Sequence, residues 1–128
     1  MPSKAASITG WVLTGIFALF MIVDVGIKFL QLPIVEETMA QLGYPPGLGF
    51  PIGIIEGIAL VLYLIPRTSV LGAVLFTGVF GGAIATHMRV GSPFLSHTFF
   101  GIYLGLFAWG GLWLRDLRLR ALFPMRSD

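Results

Sequence analysis

Four long apolar runs occupy most of this 128-residue chain, and they constrain its fold more than any other feature. They cover about residues 8–30, 50–65, 70–87 and 94–114. A helix needs ~20 mostly apolar residues to cross the hydrocarbon core of a bilayer. Because the runs exceed the ~10 residues of a membrane strand and lack its alternation, they predict helices rather than a barrel.

The composition leaves little chain for anything else. Hydrophobic residues make up 56% of the sequence and charged residues 11%, and the mean hydropathy is +0.92. The sequence therefore predicts an all-α fold, with one integral membrane domain over residues 1–128 built as a bundle of four transmembrane helices. Cysteine is absent, which excludes a thiol mechanism, and the net charge of +2 gives no reason to expect nucleic-acid binding.

Basic residues fall mainly at one end of the predicted bundle. Lys4, Arg67 and the C-terminal arginines share that end, whereas the other end carries only Lys28 and Arg89. Because Lys and Arg concentrate on the cytoplasmic side, we expect cytoplasmic termini in a multi-pass protein of the cell inner membrane. The tail over residues 113–123 alternates Leu with Arg, and we expect it to anchor at the lipid surface, with partner binding as the alternative.

The first outer loop, residues 31–49, contains a helical pattern of its own. Apolar residues recur at helical spacing between Ile34 and Leu42, and Gly43 follows as a C-terminal stop. We therefore expect a short interfacial helix here. It either covers the outer end of the bundle as a lid or serves as an ordered connector.

Glycines recur four residues apart in three of the runs, as Gly53 with Gly57, Gly78 with Gly82, and Gly101 with Gly105. Small residues let helix backbones approach closely in lipid. These pairs are therefore expected to line packing interfaces, either within the chain or between copies in a homo-oligomer.

Six ionisable residues lie within the runs or at their ends, toward the outer side: Asp24, Lys28, Glu56, His87, Arg89 and His97. A charged side chain at the centre of a spanning helix costs ~2.5–3.5 kcal/mol on insertion scales, so these groups need partners or a polar cavity. At ~1.5 Å rise per residue, Asp24 and Glu56 each lie ~9 Å below the outer end of their helices. The sequence predicts that groups from four helices converge on one pocket.

The candidate acid–base catalysts are Glu56, His87, His97 and Asp24, and the candidate cofactor-binding residues are Lys28 and Arg89. A carboxylic acid and an imidazole can together transfer protons. The spacing forms no compact metal-ligand motif, so no metal site is predicted, and the cofactor stays unknown.

Structural roles are the alternatives for most of these residues. Asp24 and Lys28 can pair along one helix, Arg89 can reach lipid headgroups, and His97 can begin a helix. Glu56 is different, because its own helix offers no cation. It must be protonated or find a partner on another helix.

Two motifs resemble the DoxX-like family of small four-helix membrane proteins. They are the segment Ala85-Thr86-His87-Met88-Arg89, with the residues from 64 that lead to it, and the closing Trp109-Gly110-Gly111. The resemblance covers about residues 10–124. It implies a four-helix membrane fold more than an activity. The family's namesake is a membrane subunit of an archaeal thiosulfate:quinone oxidoreductase, and relatives are linked to redox or stress processes.

The sequence leaves three functions open, and with them the question of whether the chain is an enzyme. The first is to bind or transform a small lipophilic molecule such as a quinone. The second is to anchor a membrane redox complex as a non-catalytic subunit, and the third is proton-coupled transport. Expected partners are membrane lipid, a lipophilic small molecule, and a second copy or a redox-complex partner. The apolar walls of the pocket are expected from Phe76, Phe80, Phe94, Phe99 and Phe100.

Overall fold

The computed structural model describes residues 1–127, and Asp128, the last residue of the predicted domain, lies outside the described range. All regular structure in that range is helical, which confirms the all-α prediction. Six α-helices follow one another: α1 (Lys4–Phe29), α2 (Pro33–Gln41), α3 (Gly49–Leu64), α4 (Ser69–Arg89), α5 (Phe100–Arg115) and α6 (Leu117–Leu122). A 3₁₀ turn at Pro66–Thr68 precedes α4, and a π turn at Phe94–Thr98 precedes α5.

Four of these helices pack around an aromatic core. α1 packs against α3 and α5, and α4 packs against the same two helices. Phe17 of α1 meets the rings of Tyr63 and Phe76 edge-to-face, with centroids 5.3 and 5.0 Å apart. Phe80 stacks on Phe76 at 5.5 Å. Such aromatic pairs contribute about 0.5–1.5 kcal/mol each beyond the area they bury, so they fix the centre of the bundle.

The outer surface of the bundle is apolar as well. Large apolar side chains are exposed on all four helices, among them Leu19, Ile58, Val74 and Leu106. Soluble monomers rarely expose contiguous apolar patches larger than a few hundred Å². By length and composition, α1 and the segment Pro66–Arg89 are long and apolar enough to cross a membrane, and α3 is a shorter apolar helix. These are properties of a membrane protein.

Three predicted helices agree with the structure to within a few residues, namely 8–30 with α1, 50–65 with α3, and 70–87 with α4. The predicted short helix in the first loop is confirmed as α2. Gly43 follows it with φ +86°, a left-handed conformation that glycine adopts without steric strain.

The fourth predicted helix, 94–114, is interrupted near its start. The carbonyl of Pro93 accepts hydrogen bonds from the backbone N–H groups of both His97 and Thr98, each at 3.1 Å. The bond across five residues widens the backbone into a π turn, and α5 begins only after it. The turn buries Thr98 and leaves His97 exposed. Because the apolar run continues through the turn, hydropathy does not reveal it.

The C-terminal tail folds back on the bundle as α6. Asp116 caps its first turn, and Leu119 is buried in the core. The Arg120 guanidinium donates to the carbonyls of Trp113 and Leu114 at 2.8 and 2.6 Å. Carbonyls at a helix end have no partner within the helix, so these bonds tie the tail to the end of α5. Anchoring of the tail at a lipid surface stays a prediction.

The glycines at close helix contacts differ in part from those predicted. Gly53 and Gly101 do lie at close approaches to other helices. Beside Gly78, Gly82 and Gly105, in contrast, no atom of a neighbouring helix lies within 4 Å of where a Cβ would stand. The spacing of small residues identifies a helix face. It does not tell whether a neighbouring helix occupies that face.

The tightest approach is at Gly72 on α4. A Cβ there would lie 2.3 Å from the backbone nitrogen of Tyr63. A second close contact joins α1 to α5, where a Cβ on Gly111 would lie 2.9 Å from the carbonyl oxygen of Gly10. At both positions the absence of a side chain sets the distance between two helices.

Replacing Gly72 by alanine should destabilise the bundle, because the added carbon overlaps the backbone of α3. Overpacking a core typically costs 1–3 kcal/mol, and we expect a loss of at least about 2 kcal/mol here. Gly15→Ala is the matched control, since Gly15 is helical and has open space beside it. It should leave stability unchanged or raise it by about 0.5–1 kcal/mol. Thermal unfolding of both variants in one detergent checks this, and equal midpoints would contradict it.

Candidate functional site

A lysine and two carboxylates meet between α1 and α3, near the end of the bundle that carries α2. The ammonium nitrogen of Lys28 donates to Asp24 Oδ2 at 2.5 Å and to Glu56 Oε1 at 2.7 Å. The side chain of Lys28 is 13% exposed, that of Asp24 26%, and that of Glu56 7%. We call these three side chains the ion triad. Glu56, which has no cation on its own helix, thus finds its partner on α1.

Two sequence features bring the ion triad together. Asp24 and Lys28 are four residues apart on α1 and therefore share one face. On α3, Gly53 lies one turn before Glu56, and a Cβ there would stand 2.9 Å from the Cβ of Lys28. The missing side chain lets α1 approach α3 closely enough for the lysine to reach the glutamate.

The ion triad lines a partly open cavity of about 500 Å³, to which α1, α2, α3 and α4 contribute walls. Most of the remaining wall is aliphatic: Ile27, Ile34, Val35, Met39, Leu42, Ile52, Ile55 and Val79. Gly78 and Gly82 of α4 also face the cavity, and open space lies beside each of them. A mainly apolar cavity with a few convergent polar groups is the usual form of a small-molecule site.

The prediction of aromatic walls is wrong. None of the five phenylalanines expected there lines the cavity: Phe76, Phe80, Phe94, Phe99 and Phe100. Phe76 and Phe80 fill the centre of the bundle, where their rings contact that of Phe17. These two rings occupy the packed core, and the cavity lies where the side chains of α4 are small.

The two histidines are neighbours at the same end of the bundle. Their ring centroids are 5.9 Å apart, and each Nδ1 pairs with a serine hydroxyl, His87 with Ser92 at 2.8 Å and His97 with Ser96 at 2.7 Å. His87 lines the same cavity as the ion triad. His97 is exposed and does not line it, because the π turn directs this residue outward. The predicted convergence of four acid–base groups therefore holds for the two carboxylates and His87 only.

The helix α2 and the residues after it cover the cavity. The Tyr44 hydroxyl pairs with Thr86 Oγ1 at 2.8 Å, and both residues line the cavity. Arg89 donates from Nη2 to the carbonyl oxygen of Leu42 at 2.9 Å, at the C-terminal end of α2. A cation is favourable at that end of a helix. Arg89, expected to bind a cofactor, does not line the cavity and instead joins α2 to α4.

Sequence reasoning did not assign Tyr44 and Thr86 to the site. Thr86 lies four residues after Gly82 on one face of α4, a pattern that could have marked the cavity wall. Tyr44 carries no such signal. Its place depends on the path of the chain after Gly43, which only the folded structure shows.

The arrangement can hold a polar group and exchange protons with it. With both carboxylates ionised, the ion triad has a formal charge of −1 beside apolar walls. An uncompensated charge in such surroundings is unfavourable, so a proton or a bound group stabilises it. Within residues 1–127, no group of three His, Asp, Glu or Cys is placed to hold a metal ion.

Lys28→Met should destabilise the protein far more than Glu56→Gln. The first change leaves two carboxylates without their ammonium, and breaking a buried ion pair costs about 3–5 kcal/mol. The second keeps the pair of Asp24 and Lys28 and retains an acceptor at position 56, so a loss of about 1 kcal/mol or less is expected.

Unfolding of the two variants in the same detergent measures this difference. Arg118→Met, which removes an exposed charge from α6, is the control for the loss of a positive charge as such. If Lys28→Met were as stable as Arg118→Met, the ion triad would not hold α1 and α3 together.

The site lies within the part of the chain that resembles other proteins. The model of the DoxX-like family matches residues 12–111, which contain the ion triad, the cavity walls and both histidines. No curated protein and no solved structure gives a match. With more than half of its length matched, this chain belongs to the DoxX-like family, which is associated with membranes.

Proposed function

We propose that the chain is a four-span protein of the cell inner membrane that binds a small lipophilic molecule with one polar end. The observation that carries this proposal is the cavity of about 500 Å³, whose walls are mainly aliphatic and whose acidic and basic side chains are the ion triad and His87. The apolar part of the ligand contacts the aliphatic wall, and its polar end contacts the triad. A quinone and its quinol belong to this class, and with them comes the redox-linked role that the family resemblance implies.

The proposed topology places both termini in the cytoplasm. It is supported by the position of the basic residues, since Lys4, Arg67 and the C-terminal arginines lie at the end opposite α2. It is also supported by the apolar surface of the bundle, which suits lipid on all four long helices. The cavity then opens toward the outer side of the membrane.

Single cysteines test this topology, because the natural chain has none to remove. A membrane-impermeant maleimide applied to intact spheroplasts should label Glu37→Cys and Leu95→Cys. Ser3→Cys and Arg67→Cys should react only after lysis. All four positions are exposed, so access to the reagent decides the result. Labelling of Arg67→Cys in intact spheroplasts would contradict the four-span arrangement.

Filling the cavity should weaken ligand binding. Gly82→Leu places a large side chain in the cavity, whereas Gly81→Leu adds the same atoms at the next residue, which does not line it. Both positions have open space, so both variants should fold. We expect Gly82→Leu to weaken binding of a short-chain ubiquinone analogue at least about tenfold, or ~1.4 kcal/mol, and Gly81→Leu to bind as the natural protein does.

Native mass spectrometry of the protein extracted with its lipids provides the measurement, followed by identification of any bound molecule. A bound molecule present in the Gly81→Leu variant and lost in Gly82→Leu supports the site. An empty protein that runs as one defined oligomer in every variant would contradict it and favour a non-catalytic subunit.

A further inference from the structure

We propose that the ligand's polar end is a hydrogen-bond donor, most favourably one with a positive charge, because the ion triad with both carboxylates ionised presents surplus negative charge to the cavity. This inference rests on the proposed ligand site and names the chemistry of its occupant. A protonated amine attached to an apolar body is the simplest molecule of this kind. An anionic end such as a carboxylate is rejected.

The first argument is the balance of charge at the cavity. The Asp, Glu, Lys and His side chains that line it are Asp24, Glu56, Lys28 and His87. Lys28 is the one permanently charged cation among them, and it is already shared between two carboxylates. Arg89, the other strong cation at this end, does not line the cavity and donates to the carbonyl of Leu42.

The second argument is the number of hydrogen-bonding positions. Two carboxylates offer about eight acceptor sites, whereas one ammonium offers three donors. Lys28 contacts one oxygen of each carboxylate, Asp24 Oδ2 and Glu56 Oε1. Acceptor capacity therefore exceeds donor capacity within the ion triad. A ligand that donates hydrogen bonds uses this excess, and a ligand that only accepts must compete for the lysine.

The third argument is the low polarity of the walls. Around the ion triad the wall consists mainly of Ile, Val, Leu and Met side chains. Electrostatic interactions are stronger in such surroundings than in water, so a cation beside the triad gains more and an anion loses more than at the surface. For a redox pair the same reasoning favours a quinol, with two O–H donors, over its quinone, with two acceptors.

The neighbouring smaller space adds no second cation beside the ion triad. It has a volume of about 240 Å³, and its lining includes Lys28, Gln31 and Glu36. The carboxylate of Glu36 accepts a hydrogen bond from the backbone of Gly47 at 3.3 Å. The ionisable groups of this space are thus one carboxylate and the same shared lysine.

Three molecules that share a phenyl ring on a short alkyl chain and differ in their polar end test the proposal: 4-phenylbutylamine, 4-phenylbutanol and 4-phenylbutyrate. Binding to the full chain in nanodiscs of zwitterionic lipid is measured by calorimetry, so that lipid charge does not bias the result. We expect the amine to bind at least about tenfold more tightly than the carboxylate, with the alcohol between them.

Two variants assign this preference to the ion triad. Asp24→Asn and Glu56→Gln each remove one negative charge from a different helix, and either should reduce the preference for the amine to about threefold or less. Glu37→Gln is the control, because it removes an equal charge from an exposed position of α2 that does not line the cavity. It should leave the preference unchanged.

Each outcome has a distinct meaning. If the carboxylate binds as tightly as the amine, the charge proposal fails and the ligand site stands. If the preference persists in Asp24→Asn and Glu56→Gln alike, it does not come from the triad and the proposal fails as well. If none of the three molecules binds, or if Gly82→Leu binds all three normally, the cavity is not the ligand site and both proposals fail.

Discussion

The ammonium of Lys28 is the contact on which the cavity end of this bundle depends. A single charge among apolar helices is costly, but Lys28 pairs with two carboxylates that come from two helices. The bond to Glu56 fixes the height of α3 relative to α1, and Gly53 makes the approach short enough for it. Because these charged groups are gathered at one wall, the rest of the cavity lining can stay mainly apolar.

Large and small residues are distributed unevenly along the same four helices. In the centre, Phe17, Tyr63 and Phe76 interlock and leave little free volume. Toward α2, the face of α4 carries Gly78 and Gly82, and the space beside them stays open. Protein interiors otherwise pack as densely as organic crystals, so side chains that border this partly open space lack the dispersion contacts that a packed neighbour would give. A ligand that fills it recovers the lost dispersion contacts, which is the physical reason to read the opening as a binding site.

The sequence predicts the helices and the charges that need partners better than it predicts which helices contact one another. The apolar runs predict α1, α3 and α4 because hydropathy and length suffice for that, and the cost of a lone carboxylate predicts that Glu56 needs a partner on another helix. A helical wheel shows which residues share a face but not which helix packs against that face. The sequence therefore does not identify Lys28 as the partner of Glu56. Gly78 and Gly82 have the spacing of a packing face, yet small residues suit an open cavity equally well. His97 lies outside the site because of a π turn that leaves no mark in the hydropathy.

The contacts that hold α2 over the cavity differ in kind from those that hold the bundle. The guanidinium of Arg89 and the hydroxyl of Tyr44 each make one hydrogen bond between α4 and the segment of α2, the first exposed and the second partly buried. Val35 and Met39 are the buried side chains of α2. Such a hydrogen bond contributes only about 0.5–1.5 kcal/mol net. Separating α1 from α3 would instead break the ion triad and expose the aromatic core, at several times that free energy. Displacement of α2 breaks these two hydrogen bonds and exposes Val35 and Met39, but it leaves the ion triad and the aromatic core in place. A ligand that reaches the triad by this path need not disturb the packing that defines the fold.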